Sequence, residues 1–147
     1  MSLRRLRPGE LVALLGSIGI VVALTMRWYE APSGNLDAWS TFGPTIALLI
    51  LAAAGGFWLA LATVTERTTA LPVAAAVWGT LLGFVGVIAG AVRLLERPDH
   101  ATMLCAGAWV AFAGALLVLV GCWLSMRDER PGLYTPADPP VRPAPPG

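Results

Sequence analysis

The sequence predicts an all-α, polytopic membrane protein. It reads as a bundle of four transmembrane helices in two hairpins, followed by a disordered C-terminal tail. Three observations predict it. Four apolar runs, over about residues 11–29, 44–63, 72–92 and 101–124, each approach the ~20 residues that a helix needs to cross a ~30 Å hydrocarbon core. Hydrophobic residues make up 56% of the chain and charged residues only 13%, which is a membrane composition rather than a soluble one. Glycine and alanine recur in steps of three and four within the runs, the spacing that brings helix backbones together in lipid. Once the four helices are set aside, no stretch is long enough for a separate soluble domain. The chain therefore divides into a transmembrane domain over 1–126 and a tail over 127–147.

The first helix opens at Pro8-Gly9-Glu10, where proline suits the first helical position and Glu10 complements the positive helix end. Arg4, Arg5 and Arg7 precede it like the basic end of a secretory signal. The apolar run ends in Met26-Arg27-Trp28-Tyr29 with no small-x-small cleavage site, so an uncleaved signal-anchor helix is expected. The loop from Arg27 to Gly43 is the longest. It sets Trp28, Tyr29, Trp39 and Phe42 around Pro32-Ser33-Gly34-Asn35, which reads as an interfacial aromatic belt. Thr65 to Leu71 is a short turn between the second and third helices. Arg93 to His100 is a tight turn in which Pro98 helps to stop the third helix.

All ten basic residues are arginine. Seven fall on the side of the N-terminus, the middle loop and the tail, and three on the side of the first and third loops. That bias predicts both termini in the cytoplasm and a multi-pass protein of the cell membrane. The tail holds seven of the twelve prolines and cannot build a core, so it reads as a polyproline-like spacer. Pro136-x-x-Pro139 and Pro140-x-x-Pro143 also fit a ligand for a cytoplasmic proline-recognition partner.

The two hairpins share a weak pattern. Gly16-x-x-Gly19, Arg27-x-x-Glu30-x-Pro32 and Ala38-Trp39 in the first answer Gly83-x-x-Gly86, Arg93-x-x-Glu96-x-Pro98 and Gly107-Ala108-Trp109 in the second. Such a repeat would be parallel, about an axis along the membrane normal. Each Arg-x-x-Glu also reads as an i, i+3 ion pair closing a helix. The glycine stripes are sharper: Ala76, Gly79, Gly83, Gly86 and Gly90 in the third helix, and Gly107, Ala111, Gly114, Val118 and Gly121 in the fourth. Gly16, Gly19 and Ala23 extend the pattern to the first helix, and Ala52, Gly55 and Ala62 to the second. These stripes either close the bundle or join subunits. Adjacency in a hairpin favours closure, with the third and fourth helices packed stripe to stripe.

Chemistry is sparse. Between the helix ends there is no Asp, Glu, Lys, Arg or His, which argues against a proton-coupled carrier or a channel with a charged filter. No zinc-protease, Cys-x-x-Cys, phosphate-loop or nucleophile-elbow motif occurs, and no catalytic, cofactor-binding or metal-ligating set is expected. Cys105 and Cys122 would stand about 25 Å apart along one helix, too far for a disulfide. The net charge of +1 provides no basic face for nucleic acid. The polar and aromatic groups that converge do so above the outer ends of the helices: Trp28, Asp37, Trp39, Glu96 and His100 form the candidate recognition surface.

Pro8-Gly9-Glu10-Leu11 at the start of the first helix, Arg27-Trp28-Tyr29 at its end, Asp37-Ala38-Trp39-Ser40-x-Phe42 in the loop and Gly107-Ala108-Trp109 in the last helix carry a resemblance. Over about residues 8–125 the chain resembles uncharacterised small four-helix integral membrane proteins of actinobacteria. The resemblance implies the topology and transfers no activity or site. The expectation for function is a non-enzymatic structural or accessory subunit. Its partners would be the lipid bilayer, other membrane-protein subunits and a cytoplasmic ligand of the tail. A carrier or binder of an apolar or lipidic small molecule is the alternative.

Overall fold

The computed structural model describes residues 7–32, 34–41, 43–65, 70–96 and 101–128. Four helices account for most of them: α1 (Pro8–Leu24), α2 (Pro44–Thr65), α3 (Ala70–Leu95) and α4 (Ala106–Asp128). Three short strands, β1 (Arg27–Ala31), β2 (Gly34–Asp37) and β3 (Met103–Leu104), complete the fold. The proline-rich segment, His100, Arg97, Pro98 and Phe42 lie outside the described residues.

α2, the Leu71–Leu95 portion of α3 and α4 are each long and apolar enough to cross a membrane, with mean hydropathies of 2.2, 2.0 and 2.1. α1 is shorter, at 17 residues. It begins at Pro8, where proline stands in the first turn and Glu10 Oε2 accepts the Arg7 backbone N–H at 2.8 Å. It ends at Leu24 rather than near residue 29. Thr25 and Met26 close the last turn through N–H bonds to Val22 O and Ala23 O, and the chain leaves as a strand. The expected helix over 11–29 is thus corrected at its end, and the expected start of the last helix near 101 moves to Ala106.

The loops at this end are not loops. β1 pairs antiparallel with β2 and with β3, giving the order β2-β1-β3. Tyr29 faces Leu36 on one side and Leu104 on the other. The β1–β2 hairpin closes at Gly34, whose φ of +127° suits a residue without a Cβ. Arg27 and Glu30 both lie on β1, so their spacing is not a helical ion pair. Arg93, in the last turn of α3, turns instead to Thr45 and Thr41.

In the bundle α1 packs on α2 and α4, and α3 packs on the same two. Small residues fill the interior: Ala13, Ala52, Ala76, Ala111 and Ala115 are fully buried. Large apolar residues face outward, with Leu15, Leu61, Trp78 and Phe84 more than half exposed. The glycine stripes are inside, but their partners differ from the expected pairing. Gly83 and Gly90 of α3 do meet α4, where an added Cβ would lie 2.8 Å from Leu119 Cα and 3.1 Å from Phe112 Cδ2. Gly86 faces Ala52 of α2. The stripe on α4, however, turns to the first hairpin: Gly114 and Gly121 meet α1, and Gly107 meets β1. α4 gives α3 its bulky side, because side chains from one helix must fill the notches that glycine leaves on the other.

Candidate recognition surface at the sheet end

β1 is the hub of this end. Consecutive residues of a regular strand point to opposite faces, yet Trp28 and Tyr29 are both fully buried. The pairing with β2 slips between Arg27 and Tyr29, a bulge that re-aims one side chain. The two rings lie 6.5 Å apart at 54°. Each ties the sheet to a helix. The Trp28 indole N–H donates to Ala23 O at 2.7 Å, a second bond to a carbonyl that also accepts the Met26 N–H in the closing turn of α1. Gly107 makes room for the ring, since a Cβ there would lie 2.6 Å from Trp28 Cδ1. The Tyr29 hydroxyl donates to Arg93 O at 2.7 Å, at the end of α3. Burial pushes the Tyr29 phenol above its ordinary pKa, and the neighbouring Arg93 guanidinium partly opposes this.

β3 is fastened by backbone bonds from Thr102 N–H to Glu30 O at 2.7 Å and from Cys105 N–H to Trp28 O at 2.8 Å. At the other edge, Asp37 forms a turn. Its carboxylate accepts the Ser40 N–H at 2.7 Å, and its carbonyl accepts the Ser40 hydroxyl at 2.9 Å and the Thr41 hydroxyl at 3.0 Å. The Ser40 N–H holds the Asp37 carboxyl below the usual carboxylate range. Arg93 then bridges the chain leading into α2: Nε donates to Thr45 Oγ1 at 2.5 Å and Nη2 to Thr41 O at 2.6 Å.

The five residues expected to form a recognition surface are therefore placed unequally. Trp28 is core and presents no exposed edge. Asp37 and Trp39 share the turn after β2, with Trp39 56% exposed. Glu96 is exposed just beyond α3. His100 is outside the described residues. β2 and β3 flank β1 on opposite edges, so Asp37 and the strand that follows His100 are separated by the width of β1. Arg93 was not among the expected site residues, yet it joins β1, α2 and α3. Its position at a helix end, opposite the first turn of α2, was the available signal. Among the described residues no three His, Cys, Asp or Glu side chains come together as a metal set.

At the opposite end Glu10 is buried, 4% exposed, between α1 and α2. The Thr63 hydroxyl lies 3.0 Å from Glu10 Oε1 and 3.0 Å from Leu59 O, and its one proton serves one of them at a time. Arg7 Nη1 donates to Asp128 O at 3.2 Å, tying the start of α1 to the end of α4. This cluster closes the bundle, as the sheet does at the other end. Comparison of the chain with protein-family models, curated proteins and solved structures found no match.

Proposed function

We propose that the chain is a four-span integral membrane protein of the cell membrane, acting without catalysis as a structural or accessory subunit of a membrane assembly. The observation that carries this is the inverted distribution of side-chain size. Alanine and glycine fill the helix interfaces, while leucine, tryptophan and phenylalanine cover the outside. Soluble proteins rarely expose so continuous an apolar surface. In lipid the same surface costs nothing, and small residues at the interfaces provide the packing. With 17 residues, α1 stands at the lower end of the length that spans a bilayer, in keeping with a fourth span.

The polar groups of the interior support an architectural role. Glu10, Ser17 and Ser125 are the buried polar or charged side chains among the described residues. Glu10 bonds the Arg7 N–H, and Ser17 donates to Ala13 O at 3.0 Å. Both bonds are local to α1; the contact that joins helices is the Thr63 hydroxyl of α2, 3.0 Å from Glu10 Oε1. The test is purification from native membranes in mild detergent. A stoichiometric complex with other membrane subunits supports the reading. A chain that runs alone at every detergent concentration, from membranes where its deletion has a phenotype, defeats it.

A further inference from the structure

On the flank where α3 meets α4, a groove of 320 Å³ is lined by Thr80, Leu119, Val120 and Trp123. Val120 and Trp123 are 43% and 47% exposed, so the groove opens sideways from the bundle. The Thr80 hydroxyl donates to Ala76 O at 2.8 Å within its own helix, so hydrocarbon laid across it strands no donor. One turn beyond Trp123, the Arg127 guanidinium lies 5.0 Å from the centroid of the indole. A cation over an indole is attracted by the π face of the ring, an interaction that uses none of its N–H donors, and guanidinium N–H groups suit a phosphate. Leu119, Trp123 and Arg127 follow at i, i+4 and i+8. One face of α4 therefore passes from aliphatic to indole to cation over about 12 Å.

That order is the order of a phospholipid: acyl chain, interface, phosphate. We propose that this groove holds one acyl chain of an anionic phospholipid whose phosphate is bound by Arg127. A neutral apolar occupant, such as a helix of another chain, would use the groove and ignore the cation. A lipid of the same leaflet uses both. The assignment rests on the chain residing in a bilayer, as proposed above, and is independent of its being a subunit.

The test uses the full chain in mild detergent, titrated with phosphatidylglycerol or with phosphatidylcholine of the same acyl chains. Bound lipid is counted by native mass spectrometry. The expected result is one retained phosphatidylglycerol per chain, preferred about fivefold, the effect of one arginine at a charged lipid surface. Arg127→Gln should abolish the preference and leave weak, equal binding of both lipids. Val120→Trp, which fills the groove from its exposed rim, should lower binding of both; Leu15→Trp, on the exposed side of α1, should lower neither. If Val120→Trp does not fold, Val120→Phe serves. Equal binding of the two lipids by the native chain, or a preference that survives Arg127→Gln, overturns the proposal. A native dimer that Val120→Trp converts to a monomer assigns the groove to a second copy and overturns it too. A chain that assembles with partners but shows none of these lipid effects sinks this proposal alone.

Discussion

Gly16 and Gly114 are each other's closest limit. A Cβ on Gly16 would lie 2.6 Å from Gly114 O, and a Cβ on Gly114 would lie 2.8 Å from Gly16 O. Gly9 and Gly121 also approach each other seven residues away on each helix, at 2.9 and 2.6 Å, with Ser125 N and Ala13 N nearer still. The reversed order of the two pairs makes α1 and α4 antiparallel. Backbone meets backbone at both points, so no side chain can rotate out of the way. This seam closes the bundle between its first and last helices.

The consequence is selective intolerance. Gly16→Ala or Gly114→Ala must push the two helices apart, and should lower stability in detergent by about 1–3 kcal/mol, the usual cost of overpacking. Gly19→Ala is the control: its nearest atom would be Gly114 Cα at 3.8 Å, ordinary contact. It should be neutral or slightly stabilising, since alanine is the better helix former. Thermal denaturation of the three variants decides it. Equal tolerance at positions 16, 19 and 114 would remove the seam as a stability element.

Trp28 links β1 to the end of α1 through a buried bond. Trp28→Phe keeps most of the ring but removes the buried indole bond to Ala23 O, which keeps the Met26 N–H, so the loss should be about 1 kcal/mol, the net contribution of one hydrogen bond. Trp39→Phe, at a residue more than half exposed, should cost within about 0.5 kcal/mol. Denaturation midpoints of the two variants separate a core tryptophan from a surface one. The same shift for both would mean that the indole N–H of Trp28 contributes nothing.

How much of this was legible beforehand follows from what each feature depends on. The helices were legible because apolar length is a property of each segment alone. The end of α1 was not: Thr25 to Tyr29 continues the apolar run, and only pairing with Asn35, Leu36, Met103 and Leu104 makes it a strand. Met103 and Leu104 are distant in sequence, and Asn35 and Leu36 pair only once the chain has folded back as a hairpin. The glycine stripes were legible as packing faces, but small-residue spacing names a face and not its partner. That is why the stripe on α4 reads as a match for α3, whereas Gly114 and Gly121 meet α1 and Gly107 meets β1. Among the aromatics, Trp28 and Trp39 are the same letter in similar surroundings. Trp28 stands at an irregularity within β1 and is buried, whereas Trp39 stands in the turn after β2 and is exposed, and composition distinguishes neither.

Asp37 should make the turn after β2 sensitive to acid. Its carboxyl is held below the usual carboxylate range, chiefly by the Ser40 N–H. A lowered folded-state pKa means the contribution is complete above the unfolded-state value and is lost as pH falls through the folded-state value. The Ser40 amide should therefore be protected from hydrogen exchange at neutral pH and lose protection in acid, once the pH has fallen through the folded-state value. Asp37→Asn retains an acceptor oxygen for Ser40 but cannot titrate, so its protection should not change between the same two conditions. A pH response identical in the native chain and in Asp37→Asn would show that another group governs the turn.

The orientation expected in the membrane rests on arginine placement in the sequence. In the proposed four-span topology Arg4, Arg5, Arg7, Arg67, Arg127, Arg130 and Arg142 would fall on one side, against Arg27, Arg93 and Arg97 on the other. Such a bias favours the arginine-rich side in the cytoplasm, where it also avoids translocating seven cations. The sheet end would then face outward, and Arg127 would meet the headgroups of the cytoplasmic leaflet. Protease added to sealed right-side-out vesicles should leave an epitope at Gly147 intact and remove it only after permeabilisation. Loss of the epitope in sealed vesicles reverses the orientation. The proline-rich segment after Asp128 has too few apolar residues to pack a core, so a chain ending at Arg130 should insert and accumulate as the full chain does. Degradation of the shortened chain would instead assign that segment a part in folding.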